Sequence, residues 1–290
     1  PGKALIVINH NAGITFADAT AKLDAANLTI DGSLDVDNLV ALPGTFSVDT
    51  GGTLITDEKL IVNNMTLDGG ALSRTGVAAG SRDIDVADLT VKGGSTLTIA
   101  AGDLLTFTGS SMTIDGAASA VSVPHALTLG NLSVIGGGAL TRAGVAADAN
   151  ATVDNLLLDG VAASQTFDET AGEILTINEQ LTITGGAVLT LNNRATDFAI
   201  TATGDGEVLI VDGIGSELKM TGTGNLLLEA PVWGDPTITN GGKIDVGTNS
   251  IIFGGADPSW DYFIVGEGAS VIAAEIRANV VITPTGIAGD

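Results

Sequence analysis

Hydrophobic and polar residues alternate along most of the chain, so that every second side chain is apolar. In STLTIAAGDLLTFTGSSMTIDG, residues 95–116, the alternation continues until Gly, Asp or Ser interrupts it. A period of two predicts short strands with one buried face, joined by tight turns. Thr, Val and Ile are frequent in these strands, where β-branched side chains fit well. The best helix candidate is the short segment 17–27, which a turn-rich coil explains equally well.

A five-residue signature recurs along the chain: an apolar residue, a polar residue or Leu, an apolar residue, any residue, and Gly. The central copies follow one another at intervals of roughly 20–25 residues, whereas the first and last intervals are about half as long again. We interpret each long interval as either a coil and a half or a coil with an insertion. The copies begin at Leu28, Met65, Leu89, Met112, Leu132, Leu156 and Leu181, with a weaker copy at Leu218.

A repeat of this length, in which each unit contains two strands and two turns, is typical of a β-solenoid, in which each coil stacks on the next. The inward side chains of one coil are buried only when its neighbours cover them. The predicted fold class is therefore all-β: a parallel β-solenoid with roughly 20–25 residues per coil and a C-terminal β cap or small β module. Gly, Asn and Asp between the strands would form the corners, because these residues accept positive φ.

One stretch occurs twice with few changes: GGALSRTGVAA at residues 69–79 and GGALTRAGVAA at residues 137–147. The similarity extends on both sides, so that residues 64–116 align with residues 131–185, and we interpret these as duplicated three-coil blocks. The equivalence predicts corner glycines, one core leucine and one surface arginine in each copy, with the arginines three coils apart. These residues are Gly69, Gly70, Gly137, Gly138, Leu72, Leu140, Arg74 and Arg142.

The regular pattern weakens towards the C-terminus. We therefore predict that residues 1–229 form the solenoid and that residues 230–290 form a cap or a second β module. The second segment contains Trp233, Trp260 and Tyr262, the only Trp and Tyr residues in the chain. Aromatic residues are enriched at binding hot spots, so these three form an interface or, alternatively, close the end of the core.

The charge of the chain narrows the range of partners. The formal net charge is −23, from 34 acidic and 11 basic residues, and such a surface repels nucleic acids and anionic membranes. No apolar run approaches the roughly 20 residues that span a bilayer, so we expect no membrane span. Aromatic residues are only 3%, which requires an aliphatic core. The absence of cysteine excludes disulfides, thiolate metal sites and a cysteine nucleophile.

Two pairs of carboxylates have the spacing that places both members on one side of a strand. They are Asp35 with Asp37 and Asp83 with Asp85. Oxygen ligands of this kind suit Ca²⁺, so calcium binding by these four residues is one interpretation. The other is a solvated acidic surface that keeps the protein soluble. No other cofactor and no catalytic residue is predicted.

The segments GGSTLTIAAGDLLTFTGSSMTIDG (93–116) and TINEQLTITGGAVLTLNN (176–193) are rich in Gly, Thr and aliphatic residues. In this composition and residue pattern the chain resembles the passenger β-helices of bacterial autotransporters and filamentous adhesins. The resemblance covers roughly residues 28–229. It implies export, display at a cell surface and an adhesive or scaffold role, and it carries over no catalytic residues.

We therefore expect a secreted or cell-surface structural protein: a stalk, or a subunit of a filament or layer. It would act by self-association, or by binding a surface glycan or a host protein. The alternative is a carbohydrate-active β-helix enzyme or a viral tail-spike-like protein. Arg74, Asp83 and Asp85 are the residues whose substitution would test that alternative.

Overall fold

The structure is a computed structural model that describes residues 5–9, 12–16, 27–36, 40–56, 59–74, 83–142, 150–201, 207–229, 235–254, 263–277 and 283–284. It confirms the predicted fold class, because most of the described residues are strand and the parallel sheets stack as a β-solenoid. No α-helix occurs in the described ranges. Residues 17–26, which hold most of the helix candidate, lie outside them.

The strands of the first half are short or interrupted by a corner. They are β1 (Leu5–Ile8), β2 (Gly13–Phe16), β3 (Asn27–Ile30), β4 (Ser33–Val36), β5 (Val40–Asp49), β6 (Thr53–Thr56), β7 (Leu60–Asp68), β8 (Ala71–Arg74), β9 (Ile84–Lys92), β10 (Thr96–Thr98), β11 (Leu105–Asp115), β12 (Ala120–Ser122), β13 (Leu127–Ile135) and β14 (Ala139–Thr141).

The second half continues in the same manner and adds two single-turn 3₁₀ helices, Val161–Ala163 and Glu169–Ala171. Its strands are β15 (Ala151–Asp159), β16 (Gln165–Asp168), β17 (Leu175–Thr184), β18 (Val188–Arg194), β19 (Phe198–Thr201), β20 (Leu209–Asp212), β21 (Glu217–Gly222), β22 (Leu226–Glu229), β23 (Thr237–Thr239), β24 (Lys243–Asp245), β25 (Ser250–Gly254), β26 (Ile264–Val265), β27 (Ser270–Ile272), β28 (Glu275–Arg277) and β29 (Thr283–Pro284).

The chain divides into two compact units. The first unit consists of residues 1–130 and 137–146, and the second of residues 131–136 and 147–290. In the first unit β1, β3, β5, β7, β9 and β11 pair in parallel, each with the next. The shorter strands form two further parallel sheets, β2-β4-β6-β8 and β10-β12-β14. Successive coils are therefore stacked in register.

The second unit has the same construction. β15 pairs with β17, and β17 pairs at its two ends with the separate strands β19 and β20. From there two parallel ladders run on, β19-β22-β25-β28 and β20-β23-β26-β29, beside the sheet β16-β18-β21-β24-β27. Strands on both sides of residue 230 belong to these ladders. Whether residues 230–290 form a cap or a separate module stays a prediction.

Each coil has three straight segments, whereas the sequence pattern indicated two strands per coil. In β9 the alternation of buried and half-buried side chains slips at Ala87 and Asp88, where two successive residues are half-buried. The long strand turns a corner at this point and continues on a second face. In the second unit the same corner separates β19 from β20. The third segment is the short strand that follows the turn.

The register of the ladders explains the two long intervals between signatures. Leu28 pairs with Phe46 and Phe46 with Met65, so the first long interval contains two complete coils, both shorter than the central ones. At the other end Leu181 pairs with Leu209, which makes this coil longer than the central ones. The weaker copy at Leu218 belongs to a different sheet, where it pairs with Leu189. The first long interval therefore holds two coils, so both interpretations from the sequence, a coil and a half or a coil with an insertion, are wrong there. The last long interval is not a coil length, because its two signatures lie in different sheets.

The core consists of inward columns of aliphatic side chains with a few aromatic rings. In the first unit one column is Leu28, Phe46, Met65, Leu89 and Met112, all at most 1% exposed and paired in sequence. Such stacking removes each side chain from water on every side, and a buried Leu or Met contributes about 1.5–3 kcal/mol to stability. The coils are therefore held together mainly by these columns.

The corner glycines of the duplicated stretch are confirmed. Gly69 and Gly137 have positive φ of 72° and 99°. A Cβ at Gly70 would collide with the carbonyl oxygen of Val48, and one at Gly138 would collide with that of Ile114. The first glycine of each pair therefore makes the turn, and the second allows the coils to approach.

The leucine and arginine of the second copy are both buried. Leu140 is 7% exposed, as a core position requires, and its counterpart Leu72 is half-buried. Arg142 is 8% exposed, so the prediction that it projects from the surface is wrong. Its position directly after β14 aligns with Val123, an inward residue, which explains the burial. The side chain of Arg74 lies outside the described residues.

Candidate functional site

Asp83, directly before β9, and Asp85, on β9, both have partners within the protein. A carboxylate oxygen of Asp83 accepts the backbone N–H of Leu104 at 2.8 Å. Asp85 is half-buried and forms an ion pair of 2.5 Å with Lys59. The lysine neutralises the negative charge of this carboxylate, which would otherwise attract a cation.

The other predicted calcium ligands do not join this pair in the described structure. Asp35 lies on β4, in register with Thr15 and Ile55, and so belongs to another sheet. Its side chain and the whole of Asp37 lie outside the described residues. Within the described ranges, no group of three or more His, Cys, Asp or Glu side chains could hold a metal ion. Calcium binding stays a prediction.

The predicted interface residues Trp233, Trp260 and Tyr262 also lie outside the described residues. Nothing in the described ranges shows what they contact. Their role as an interface, or as a plug at the end of the core, stays a prediction.

In the first unit the buried Arg142 and His125 form a polar cluster around one turn. An Nη2 proton of Arg142 is donated to the backbone carbonyl of His125 at 2.8 Å. The imidazole accepts the N–H of Leu105 on Nε2 at 2.9 Å, and its Nδ1 lies 2.6 Å from the carbonyl oxygen of Ala126. Guanidinium and imidazole thus both bind backbone groups, which makes this a structural cluster.

In the second unit Arg194 is the centre of a second cluster. This residue is 4% exposed, and it donates an Nη2 proton to the carbonyl of Asp197 at 2.9 Å. Its Nε lies 3.4 Å from a carboxylate oxygen of Glu169, and its guanidinium carbon lies 5.7 Å from the centre of the Phe198 ring. Burial lowers the pKa of Arg194, while Glu169 and Asp197 oppose that shift. Arg194 therefore joins a 3₁₀ turn to the following coil.

Asp168 completes this corner. It accepts the N–H and the hydroxyl of Thr170 at 2.9 and 2.6 Å, and the side-chain amide of Asn193 from the next coil at 3.1 Å. Hydrogen bonds from Thr170 and then Asn193 lower the pKa of Asp168. Glu169 likewise accepts the N–H of Ala195 at 3.0 Å. These carboxylates are occupied as acceptors between coils.

The same use of polar side chains recurs at other corners. Thr184 donates to Asp159 at 2.9 Å, and Thr239 donates to Asp212 at 2.6 Å, in each case from the next coil. In the first unit Ser111 donates to Asp88 of the preceding coil at 2.6 Å. Sequence reasoning missed these ladders. The signal was present, because Asp often precedes the Gly of the signature.

One lysine bridges two acids of the sheet β16-β18-β21-β24-β27. Lys243 lies 2.9 Å from Glu217 of the preceding coil and 3.0 Å from Asp245 of its own strand. Hydrogen bonds to Glu217 and Asp245 raise the pKa of Lys243. The described charges at this site are thus paired along and across the coils.

Comparison with known proteins gives no match to a family model, to a curated protein or to a solved structure. The similarity to adhesin passenger helices therefore stays an expectation. In the described part of the chain no helix is long and apolar enough to cross a membrane. What the arrangement of residues offers chemically is a series of polar bridges between coils, built from carboxylates, hydroxyls, amides and buried guanidinium groups.

Proposed function

We propose that this protein is an extracellular structural or adhesive β-solenoid, a surface stalk or a subunit of a filament or layer. It acts by self-association or by binding a partner, and not by catalysis. The proposal includes secretion or display at the cell surface. A copy of the same chain is the partner we favour, and a surface glycan or a host protein is the other class.

The observation that carries the proposal is the use of polar side chains between coils. Catalytic carboxylates need substrate-facing oxygens and a tuned pKa. The carboxylates of Asp159, Asp168 and Asp212 instead accept hydrogen bonds from the neighbouring coil. Such bridges stiffen the stack, since shearing one coil against the next breaks hydrogen bonds and uncovers core columns together. Stiffness is the property that a stalk or filament subunit requires.

Sedimentation velocity and negative-stain electron microscopy over a range of protein concentrations test the proposal. We expect assemblies that grow with concentration and appear as filaments or layers. Parallel samples with calcium and with EDTA test whether a cation assists assembly, and Asp83→Asn with Asp85→Asn is the matched variant.

Two results would overturn the proposal. One is a protein that stays monomeric at all concentrations, with or without calcium, and binds neither surface glycans nor host proteins on an array. The other is turnover of a polysaccharide that is lost in Arg74→Ala, Asp83→Asn or Asp85→Asn, which would establish the enzyme alternative.

A further inference from the structure

Two successive long strands of the first unit, β7 and β9, begin with the same backbone hydrogen bond. The N–H of Leu60 donates to the carbonyl of Asp83 at 2.9 Å. One coil later the N–H of Ile84 donates to the carbonyl of Leu104 at 2.8 Å. In both strands the first amide is thus bound by the carbonyl that precedes the next long strand.

At the following coil an imidazole replaces the carbonyl. The N–H of Leu105 donates to Nε2 of His125 at 2.9 Å. The carbonyl oxygen of Ala126, which directly precedes β13, lies 2.6 Å from Nδ1 of the same ring. His125 therefore occupies the gap between two backbone groups that bind each other directly in the preceding coils.

These two contacts determine the protonation state of the ring. A backbone N–H can only donate, so Nε2 must present a lone pair to Leu105. The carbonyl of Ala126 can only accept, so Nδ1 must carry the proton. The neutral Nδ1–H form of His125 satisfies both groups, and the imidazolium, which donates from both nitrogens, does not.

The surroundings contain further charged groups on each adjoining element. Arg142, which follows β14, is buried and donates to the backbone carbonyl of His125. A protonated His125 ring would therefore bring a second positive charge to the residue that the guanidinium binds. Asp83, before β9, accepts the N–H of Leu104, and Asp103 is buried in the turn before β11.

A cavity of about 330 Å³ adjoins the ring. It is lined by Leu104, Leu105, Thr106, Phe107, His125, Ala126 and Thr128. Leu104 is 47% exposed at its rim. This space gives protons from solvent access to the imidazole.

We propose that the side chain of His125 forms a pH-sensitive hydrogen-bonded bridge between two coils of the first unit. When the ring is neutral, it bridges Leu105 and Ala126 and closes the start of β11. When the ring is protonated, Nε2–H and the N–H of Leu105 oppose each other, and this connection opens.

Amide hydrogen exchange of Leu105, measured by NMR between pH 8 and pH 5, where histidine side chains change charge, tests the proposal. After correction for intrinsic rates, we expect the protection of Leu105 to fall about tenfold towards pH 5, the equivalent of one hydrogen bond. Ile84 is the internal control, because a backbone carbonyl binds its N–H. Its protection should not change over this range.

The variant His125→Gln supplies the matched comparison, since its side-chain oxygen accepts from Leu105 at every pH. We expect constant protection of Leu105 in this variant. The ¹⁵N shifts of the imidazole in the unmodified protein give a readout that does not depend on the variant folding. An Nε2–H tautomer at pH 8, or Leu105 protection that follows Ile84 at every pH, would overturn the proposal. The outcome is independent of whether the protein self-associates.

Discussion

Gly52 offers the sharpest test of how closely the coils approach. It closes the turn that leads into β6, and its φ is not positive, so alanine can adopt the same backbone conformation. A Cβ at this position would nevertheless collide with the carbonyl oxygen of Ile30 in the preceding coil, and it would lie 2.9 Å from that of Asp49. Ordinary contacts begin at 3.4 Å, so Gly52→Ala requires the two coils to separate at this corner.

The cost follows from the bonds at this corner. The N–H of Thr53 donates to the carbonyl of Gly32 at 2.7 Å, and that of Ala71 donates to the carbonyl of Gly52 at 2.9 Å. Weakening both removes about 2 kcal/mol, and overpacking adds about 1–3 kcal/mol. The stiffer unfolded chain offsets about 0.4–1 kcal/mol of this. We expect a net loss of about 3 kcal/mol in the free energy of unfolding.

Urea denaturation followed by far-UV circular dichroism measures the change. Gly13→Ala is the matched control, because its Cβ would lie 3.9 Å from the nearest atom, the carbonyl oxygen of Ser33. This control should be neutral or slightly stabilising. If Gly52→Ala is as stable as Gly13→Ala, the coils do not approach as closely as the structure indicates, and the reasoning about corner glycines fails.

Two further predictions concern charged side chains of the second unit. Arg194→Met should lower the free energy of unfolding by about 3 kcal/mol, because it leaves Glu169 without its buried counter-ion. The control is Arg277→Met, which removes an ion pair whose side chains are 59% and 54% exposed. It should cost less than about 0.5 kcal/mol. Equal losses in urea denaturation would contradict the role given to burial. Lys243→Met should cost less than about 1 kcal/mol at neutral pH. Because the folded pKa of Lys243 is raised above its ordinary value of 10.5, the difference from the unmodified protein should be complete below that pH and disappear as the pH rises through the folded value. A difference that grows with alkaline pH would refute this.

Much of the coil could be predicted from the sequence. The signature at Met65, Leu89 and Met112 places its first and third residues inward, and the structure pairs these strands in that register. The glycines of the doubled stretch are corners, as their type and position indicated. These features depend on neighbours in the chain, which the pattern contains directly.

The candidate site was less accessible to prediction. Asp85 lies on β9 and Asp83 directly precedes it, and only the fold brings Lys59 to Asp85 and Leu104 to Asp83. Those partners are about one coil away in the sequence. The burial of Arg142 was missed because arginine is normally exposed, whatever its neighbours in the chain.

The sequence by itself determined that the protein is made of strands, which side chains of each strand face inward, and that the strands repeat as coils. Only the tertiary structure decided the coil lengths within the two long intervals, the bend of the long strand β9 at Asp88, and that Leu209 instead of Leu218 continues the ladder from Leu181. It also decided that His125 enters a backbone ladder. The physical reason is that alternation is local, whereas register is set when whole coils stack, and turns of different length change which residues meet.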